Sequence, residues 1–427
     1  MNKNLKHLLA TALLLVGSAA TVSAQQKYVG GDISCLPDNE TKNAQYLDRD
    51  GKPTGDLLSF FKEQGKMNAM RVRLFVTPEK YTGSDKDANA CQDLEYVKAL
   101  GKRIKDAGLN FMLDFHYSDT WADPAKQWTP ADWAQLSDSE LETRIYEYTK
   151  DCLTALKAAG AEPDMIQTGN EISYGMMWGA YGTAESQLKK CYTNSPAANW
   201  TRLTNLLKQA GKACREVCPQ ARIILHTERT ADLYVLKNFY SKMQEAQIDY
   251  DIIGLSYYPI WHKDIATLEA ALNTLEQTYP KKEIMIVEVG YGYSWQDDKA
   301  DFDYRSTYPL TEEGQRNFTK DLITMLNKHQ QVTGLFWWWM EYNAYPYDTT
   351  HMDGWWYAPL FNSNTGKAMP AFYEMANFAP DAAGIQHPAA SRPQQSDDWY
   401  TIDGMKLPEK PLKRGTYINN KKKVVIQ

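Results

Sequence analysis

Three features of the 427-residue sequence predict a closed ring of eight parallel strands wrapped by helices, the α/β class of the (β/α)8 TIM barrel. Short apolar runs alternate with longer helix-period segments. The runs lack a polar alternation, as strands buried on both faces do. Nearly every run ends in a polar or aromatic cluster, where such barrels carry their chemistry. Eight strand-then-helix units favour closure over an open sheet. A doubly wound sheet would want a Gly-rich phosphate turn after its first strand, and Gly30-Gly31-Asp32 does not supply it.

In chain order, strands are predicted over 28–33, 68–76, 110–116, 165–171, 222–227, 250–258, 284–289 and 334–340, and the clearest helices over 94–107, 140–159, 200–217, 264–279 and 311–328. Gly108 and Gly160 stand just after two of these helices as stop signals. Residues 1–24 read as an export signal peptide: Lys3, Lys6 and His7 precede the apolar run from Leu8 to Val16, and Val22-Ser23-Ala24 offers the small-residue cleavage pattern. That run is too short for a membrane span. The barrel is expected over 25–378, a linker rich in Ala, Pro, Gln and Ser over 379–397, and a short hairpin-like tail over 398–427. Lys421-Lys422-Lys423 in that tail reads as a solvated edge.

Lys plus Arg number 47 against 53 Asp plus Glu, a formal charge of −6, so there is no basic footprint for nucleic acid. A monomer is expected. The 13 Trp and 27 Tyr suit the apolar faces of sugars, although most such rings in any protein are core. Six cysteines in an exported chain leave both three bridges and buried free thiols open. No Cys-x-x-Cys or His cluster points to zinc.

Two runs have one design. Met165 and Ile166 begin a segment that closes on Thr168-Gly169-Asn170-Glu171, and Ile284-Met285-Ile286-Val287 closes on Glu288. A lone Asn-Glu is usually a cap or an ion-pair partner. Two acids at strand ends are what hydrolysis of a glycosidic bond requires, one protonating the leaving oxygen and one attacking the anomeric carbon. Arg71 and Arg73 are two apart and share a face. A buried arginine needs a carboxylate; Glu288 is one candidate, and a structural pair with an acid lower in the barrel is the alternative for Arg73. His116, Asp119, Trp121 and Asp123 follow strand three, and His226 ends strand five. Ser256 and Tyr258 alternate onto one face, and a Tyr258 hydroxyl near Glu288 would keep that carboxylate ionised. Trp337, Trp338 and Trp339 cannot all point one way, so at least one should reach the mouth of the barrel.

Residues 68–73, 113–127, 168–171, 253–259 and Val287-Glu288 resemble the signature stretches of glycoside hydrolase family 53, the endo-β-1,4-galactanases of clan A, and the likeness spans roughly residues 28–378. The resemblance implies Glu171 as acid/base, Glu288 as nucleophile and Asn170 as a contact to the sugar 2-hydroxyl. Arg71, His116 and Tyr258 would support them, and Asp119, Trp121, Asp123, His226 and Trp338 would join the substrate-binding set. Two stretches depart from the family. Val289-Gly290-Tyr291-Gly292 replaces a small residue followed by Tyr-Pro, and Trp338-Trp339-Met340 replaces Trp-Glu-Pro, so the barrel tryptophan is Trp338 or Trp339. Some members hold calcium after strand seven, where this chain offers Asp297, Asp298, Asp301 and Asp303. A structural calcium there is an expectation; the chemistry requires no cofactor. The last residues resemble the end of the C-terminal secretion tails of Bacteroidetes proteins. The function so implied is exported, endo-acting, retaining hydrolysis of β-1,4-galactan or type I arabinogalactan. A mannanase, xylanase or cellulase of the same clan is the nearer alternative, and a non-catalytic sugar-binding protein the more distant one.

Overall fold

The computed structural model describes residues 26–183, 186, 188–296, 301–348 and 357–378, together with four short strands near the C-terminus. Eight strands close in chain order, every neighbour parallel: β1 (Tyr28–Asp32), β2 (Ala69–Leu74), β3 (Asn110–Phe115), β4 (Met165–Thr168), β5 (Arg222–Thr227), β6 (Ile252–Tyr257), β7 (Glu283–Val289) and β8 (Val332–Trp337), with β8 returning to β1. One main helix follows each strand: α1 (Leu57–Glu63), α2 (Leu94–Asp106), α3 (Asp138–Ala158), α4 (Ala197–Val217), α5 (Leu233–Glu245), α6 (Ile265–Thr278), α7 (Glu312–Leu326) and α8 (Pro370–Glu374). The barrel read from the sequence is the barrel observed.

Local signals start and stop these helices. Asp93, Asp264 and Thr311 each accept a first-turn N–H, and Ser137 with Glu140 forms a reciprocal capping box on α3. Gly108 and Gly160 take φ +68° and +76°, the left-handed conformation that ends α2 and α3.

The strand faces alternate between two cores. One face packs on the helices through Met70, Val72, Leu113, Ile166, Ile223, Ile253 and Ile286. The other lines the barrel, and its first layer is apolar: Ala69, Met112, Met165, Ile224, Ile252, Met285 and Phe336 cluster together. Two residues further along four of those strands the face turns polar, at Arg71, Asp114, Gln167 and His226, all buried. The polar layer therefore stands on a dry plug. Charges placed there lose water on one side and must find partners on the other.

Two strand ends are shorter than the sequence pattern predicts. β4 stops at Thr168, and Glu171 lies three residues past it in a left-handed backbone, φ +48°. β8 stops at Trp337, and Trp338 and Trp339 belong to the loop beyond. All six cysteines are free thiols, and all but Cys91 are buried.

The chain separates into two compact units, Met1–Ala379 and Pro380–Gln427. In the second, β9 (Trp399–Thr401), β10 (Lys406–Leu407), β11 (Gly415–Asn419) and β12 (Lys422–Ile426) form an antiparallel sheet ordered β10-β9-β11-β12. Asn419 pairs with Lys422 in the β11–β12 pairing, which is antiparallel, and the residues between them lie outside the described residues. The expected signal peptide and the linker over 379–397 lie outside the described residues.

Candidate active site

The loops at the C-terminal ends of the strands enclose a cavity of about 650 Å³. Glu171 and Glu288 both line it, with Trp121, Asp123, Asn170, Tyr258 and Trp338 from the predicted set. A register shift delivers Glu288. β6 and β7 run in step to Leu255–Ile286, then Ser256 pairs with Glu288 and Val287 is the extra residue. Such a bulge re-aims a side chain at a barrel rim. Glu171 is aimed by backbone strain, since a left-handed glutamate is unfavourable unless its surroundings impose it. Gln127 imposes it in part, donating from Nε2 to the Asn170 carbonyl at 2.7 Å and to the Glu171 carbonyl at 3.3 Å.

Arg71 organises the layer below. Nη1 donates to Asp32 at 3.0 Å, and Nη2 donates to Asp114 at 2.7 Å and to the Asn170 amide oxygen at 2.9 Å. Nη2 also stands 2.9 Å from Glu288 Oε1. Its two hydrogens are already directed at Asp114 and Asn170, so Glu288 feels Arg71 as charge rather than as a donor. The donor to Glu288 is Tyr258, whose hydroxyl reaches Oε2 at 2.8 Å.

These surroundings separate the two acids. Burial, then the charges of Glu288 and Glu228, drive Glu171 well above the usual carboxylate range, against the Ser256 hydroxyl that donates to Oε1 at 2.6 Å. Burial also raises Glu288, to about 7, but Arg71 and Tyr258 oppose it. Glu171 thus holds its proton more tightly than Glu288. That is the ordering an acid and an ionised partner need.

The arginines divide the two roles left open by the sequence. Arg71 takes Glu288, and Arg73 takes Asp32 at 2.7 Å. The Arg73 guanidinium lies 4.7 Å from the Trp121 ring centre and 4.8 Å from that of Trp338, so it underpins the tryptophans at the mouth. Trp121 meets Trp338 and Trp339 edge-on at 6.0 and 5.8 Å. Trp121 is further held by its indole N–H on Asp87 at 2.9 Å.

Four residues of the expected set do not line the cavity. Arg71 is wholly buried beneath Glu288. His116 is buried too: Nδ1 accepts from the Ala122 N–H at 3.0 Å and Nε2 faces Asp114 at 3.1 Å. Burial lowers its pKa and keeps it neutral. His226 lies under Glu171, held neutral by burial and by the Arg71 charge. Asp119 is a correction of another kind. Its carboxylate accepts from Thr77 and from the Ala131 N–H, bracing two loops, because a buried acid after a strand is closer to loop N–H groups than to the cleft. Asp123 lines the cavity while accepting from the N–H groups of Ala125 and Lys126 at 2.8 and 3.1 Å.

Of the four aspartates expected to hold calcium, Asp297 and Asp298 lie outside the described residues. Asp301 lines the cavity, and Asp303 is paired with Arg305 at 2.7 Å. Among the described residues no group of three or more His, Cys, Asp or Glu side chains forms a metal cage. A carboxylate already matched by an arginine is a poor cation ligand, so the described half of the loop does not by itself fit the ion.

Sequence reasoning missed Asp32, Asp114, Gln127, Gln167 and Glu228. Asp32 and Asp114 carried a usable signal, since each ends or nearly ends a strand and shares a face with a singled-out residue. Glu228 lies in the loop after β5 and accepts from Arg229 at 2.8 Å. Its influence on Glu171 is purely spatial.

Holding a proton on one acid of a cavity while a second, with an arginine beneath it, lines the same cavity is the work of a glycoside hydrolase, and this barrel is one. The chain belongs to glycosyl hydrolase family 53, whose model matches residues 28–375. It is 34% identical over 349 residues to an arabinogalactan endo-beta-1,4-galactanase of Cellvibrio japonicus, covering 78% of this chain and 86% of that one. It is 35% identical over 308 residues to an uncharacterized protein in the bgaB 5' region of Niallia circulans, covering 70% and 79%. Among solved structures, the Ignisphaera aggregans GH53 catalytic domain superimposes with a TM-score of 0.69 at 29% identity, covering 84% of this chain and 98% of that one. No helix among the described residues is long and apolar enough to cross a membrane.

Proposed function

We propose that the protein is an exported endo-β-1,4-galactanase that cleaves internal bonds of β-1,4-galactan and type I arabinogalactan with retention of configuration. The observation that carries the mechanism is the contrast between two carboxylates lining one cavity, the partly buried Glu171 held well above the usual carboxylate range and the buried Glu288 restrained by Arg71 and Tyr258. The name of the Cellvibrio japonicus relative supports the substrate.

In the first step Glu171 gives its proton to the leaving glycosidic oxygen, while ionised Glu288 attacks the anomeric carbon. Arg71 and the Tyr258 hydroxyl release Glu288 as its charge passes into the new C–O bond. With that charge gone Glu171 has a lower proton affinity, and having given up its proton it is now the carboxylate. It takes a proton from a water as that water's oxygen attacks the anomeric carbon and breaks its bond to Glu288, which leaves as the carboxylate. Double displacement requires carboxyls about 5 to 5.5 Å apart, too close for an intervening water. Trp121 and Trp338 offer apolar faces for the sugar rings.

Digestion of unbranched galactan followed by proton NMR tests this directly. Galacto-oligosaccharides released first as β-anomers are expected; first release of α-anomers refutes retention. Faster hydrolysis of mannan, xylan or soluble cellulose overturns the substrate, and no new reducing ends from any polymer would leave a sugar-binding protein. Export rests on residues 1–24, and N-terminal sequencing of protein from the medium should begin near residue 25.

A further inference from the structure

We infer that Ser256 is a positioning residue for the acid: fed by His226, it fixes which oxygen of Glu171 carries the catalytic proton. The inference rests on Glu171 being the acid, and it holds for either anomer released.

The direction of the hydrogen-bond chain follows from two amides whose orientations are fixed. Asn170 Nδ2 donates to the Ala122 carbonyl at 2.7 Å, so its other atom is the oxygen. Gln167 Nε2 donates to the Asp114 carboxylate, and its second hydrogen is shared between the Asn170 oxygen at 3.2 Å and His226 Nδ1 at 3.0 Å, so the group it turns to Nδ1 is also N–H. The Glu171 backbone N–H aims at the same Nδ1 from 3.3 Å. Against these two donors stands one acceptor, the Asn170 oxygen, also at 3.0 Å. Nδ1 is therefore the accepting nitrogen, and a neutral imidazole then carries its hydrogen on Nε2.

Nε2–H donates to Ser256 Oγ at 2.8 Å, and the Ser256 hydroxyl, with one hydrogen, donates to Glu171 Oε1 at 2.6 Å. Ser256 and His226 are both fully buried, so no bulk water competes. Oε1 is thereby engaged as an acceptor, and the proton of the acid stands on Oε2. In the second half of the reaction the same chain leaves Oε2 to receive the proton from water. Ser256 reaches this place because the bulge sets it opposite Glu288 in the β6–β7 register.

The charged and titratable groups around Glu171 are Glu288, Glu228, Asp123 and Tyr258, and those around His226 are Arg71, Asp114, His116 and His262. Removing Ser256 alters none of them. Ser256→Ala deletes one donor to the ionised form, so Glu171 should hold its proton harder. The basic limb of kcat/KM against pH should move up by about one unit, with kcat at the optimum about tenfold lower and KM little changed. Ser256→Cys, a weaker donor of similar size, should fall between. A basic limb that stays in place in Ser256→Ala while kcat falls evenly overturns the inference. If that variant does not fold, the limb in Ser256→Cys decides by the same criterion. Glu171→Ala is the control for the premise: full activity on galactan there would remove Glu171 as the acid and would be a separate failure.

Discussion

Replacing Tyr258 by Phe removes one hydrogen bond and no charge. The Tyr258 hydroxyl donates to Glu288 Oε2 at 2.8 Å, and Glu288 sits at about 7 with Arg71 as its other restraint. A hydrogen bond to an ionised group contributes about 1.5–3 kcal/mol, and one pKa unit corresponds to about 1.4 kcal/mol. Loss of the hydroxyl should therefore raise Glu288 by about one to two units. At pH 7 its ionised share would fall from about a half to between about a tenth and a hundredth, so kcat/KM should drop about five- to fifty-fold. The assay is initial rates on a galacto-oligosaccharide from pH 4 to 9. The acid limb should move upward while the rate at high pH recovers towards wild type. An unmoved acid limb with a uniformly lower rate would show that Tyr258 does not set the ionisation of Glu288, and the argument would fail.

Glu171→Ala should lower turnover of galactan by about a hundred- to ten-thousand-fold and leave aryl galactosides with good leaving groups much less affected, because only the poor leaving group needs a proton; an equal loss on both would assign Glu171 another role. Glu288→Gln tests stability. The folded value of about 7 lies above the ordinary 4.5, so the proton favours the folded state: its benefit is full below about 4.5 and is lost as pH rises through 7, at most about 3 kcal/mol. The melting temperature of the variant relative to wild type should rise between pH 5 and pH 8, read by calorimetry; a flat difference would contradict it. Turnover should survive EDTA, since every proposed step runs through carboxylates, and a loss restored by calcium would contradict that. Truncation after residue 379 should leave galactan hydrolysis unchanged, because the catalytic groups all lie in the first compact unit.

The barrel was legible because burial on both faces forces strands to be continuously apolar, and because a helix must stop where Gly108 and Gly160 stand. Glu171 and Glu288 were legible because each stands near the end of such a run with a charge that packing alone does not explain. The Arg71 and Arg73 alternation showed that both would be inside, but not which acid each would meet. His226 and Asp119 stand off the cavity for a related reason. A polar residue at a strand end can turn up to the cleft, sit under it or brace a loop, and its neighbours in sequence do not decide among these.

By itself, then, the sequence determined eight strands, their order along the chain, and two acids at the rim that line one cavity. Period and apolarity are properties of a single segment, and each segment carries them intact. Tertiary structure alone decided that Arg71 lies under Glu288, that Arg73 supports the tryptophans, and that Ser256 reaches Glu171 with His226 behind it. Those contacts depend on inter-strand register, and one extra residue at Val287 changes which side chains stand opposite. No pattern within β6 or β7 records that shift, because it arises only when the two are hydrogen-bonded together.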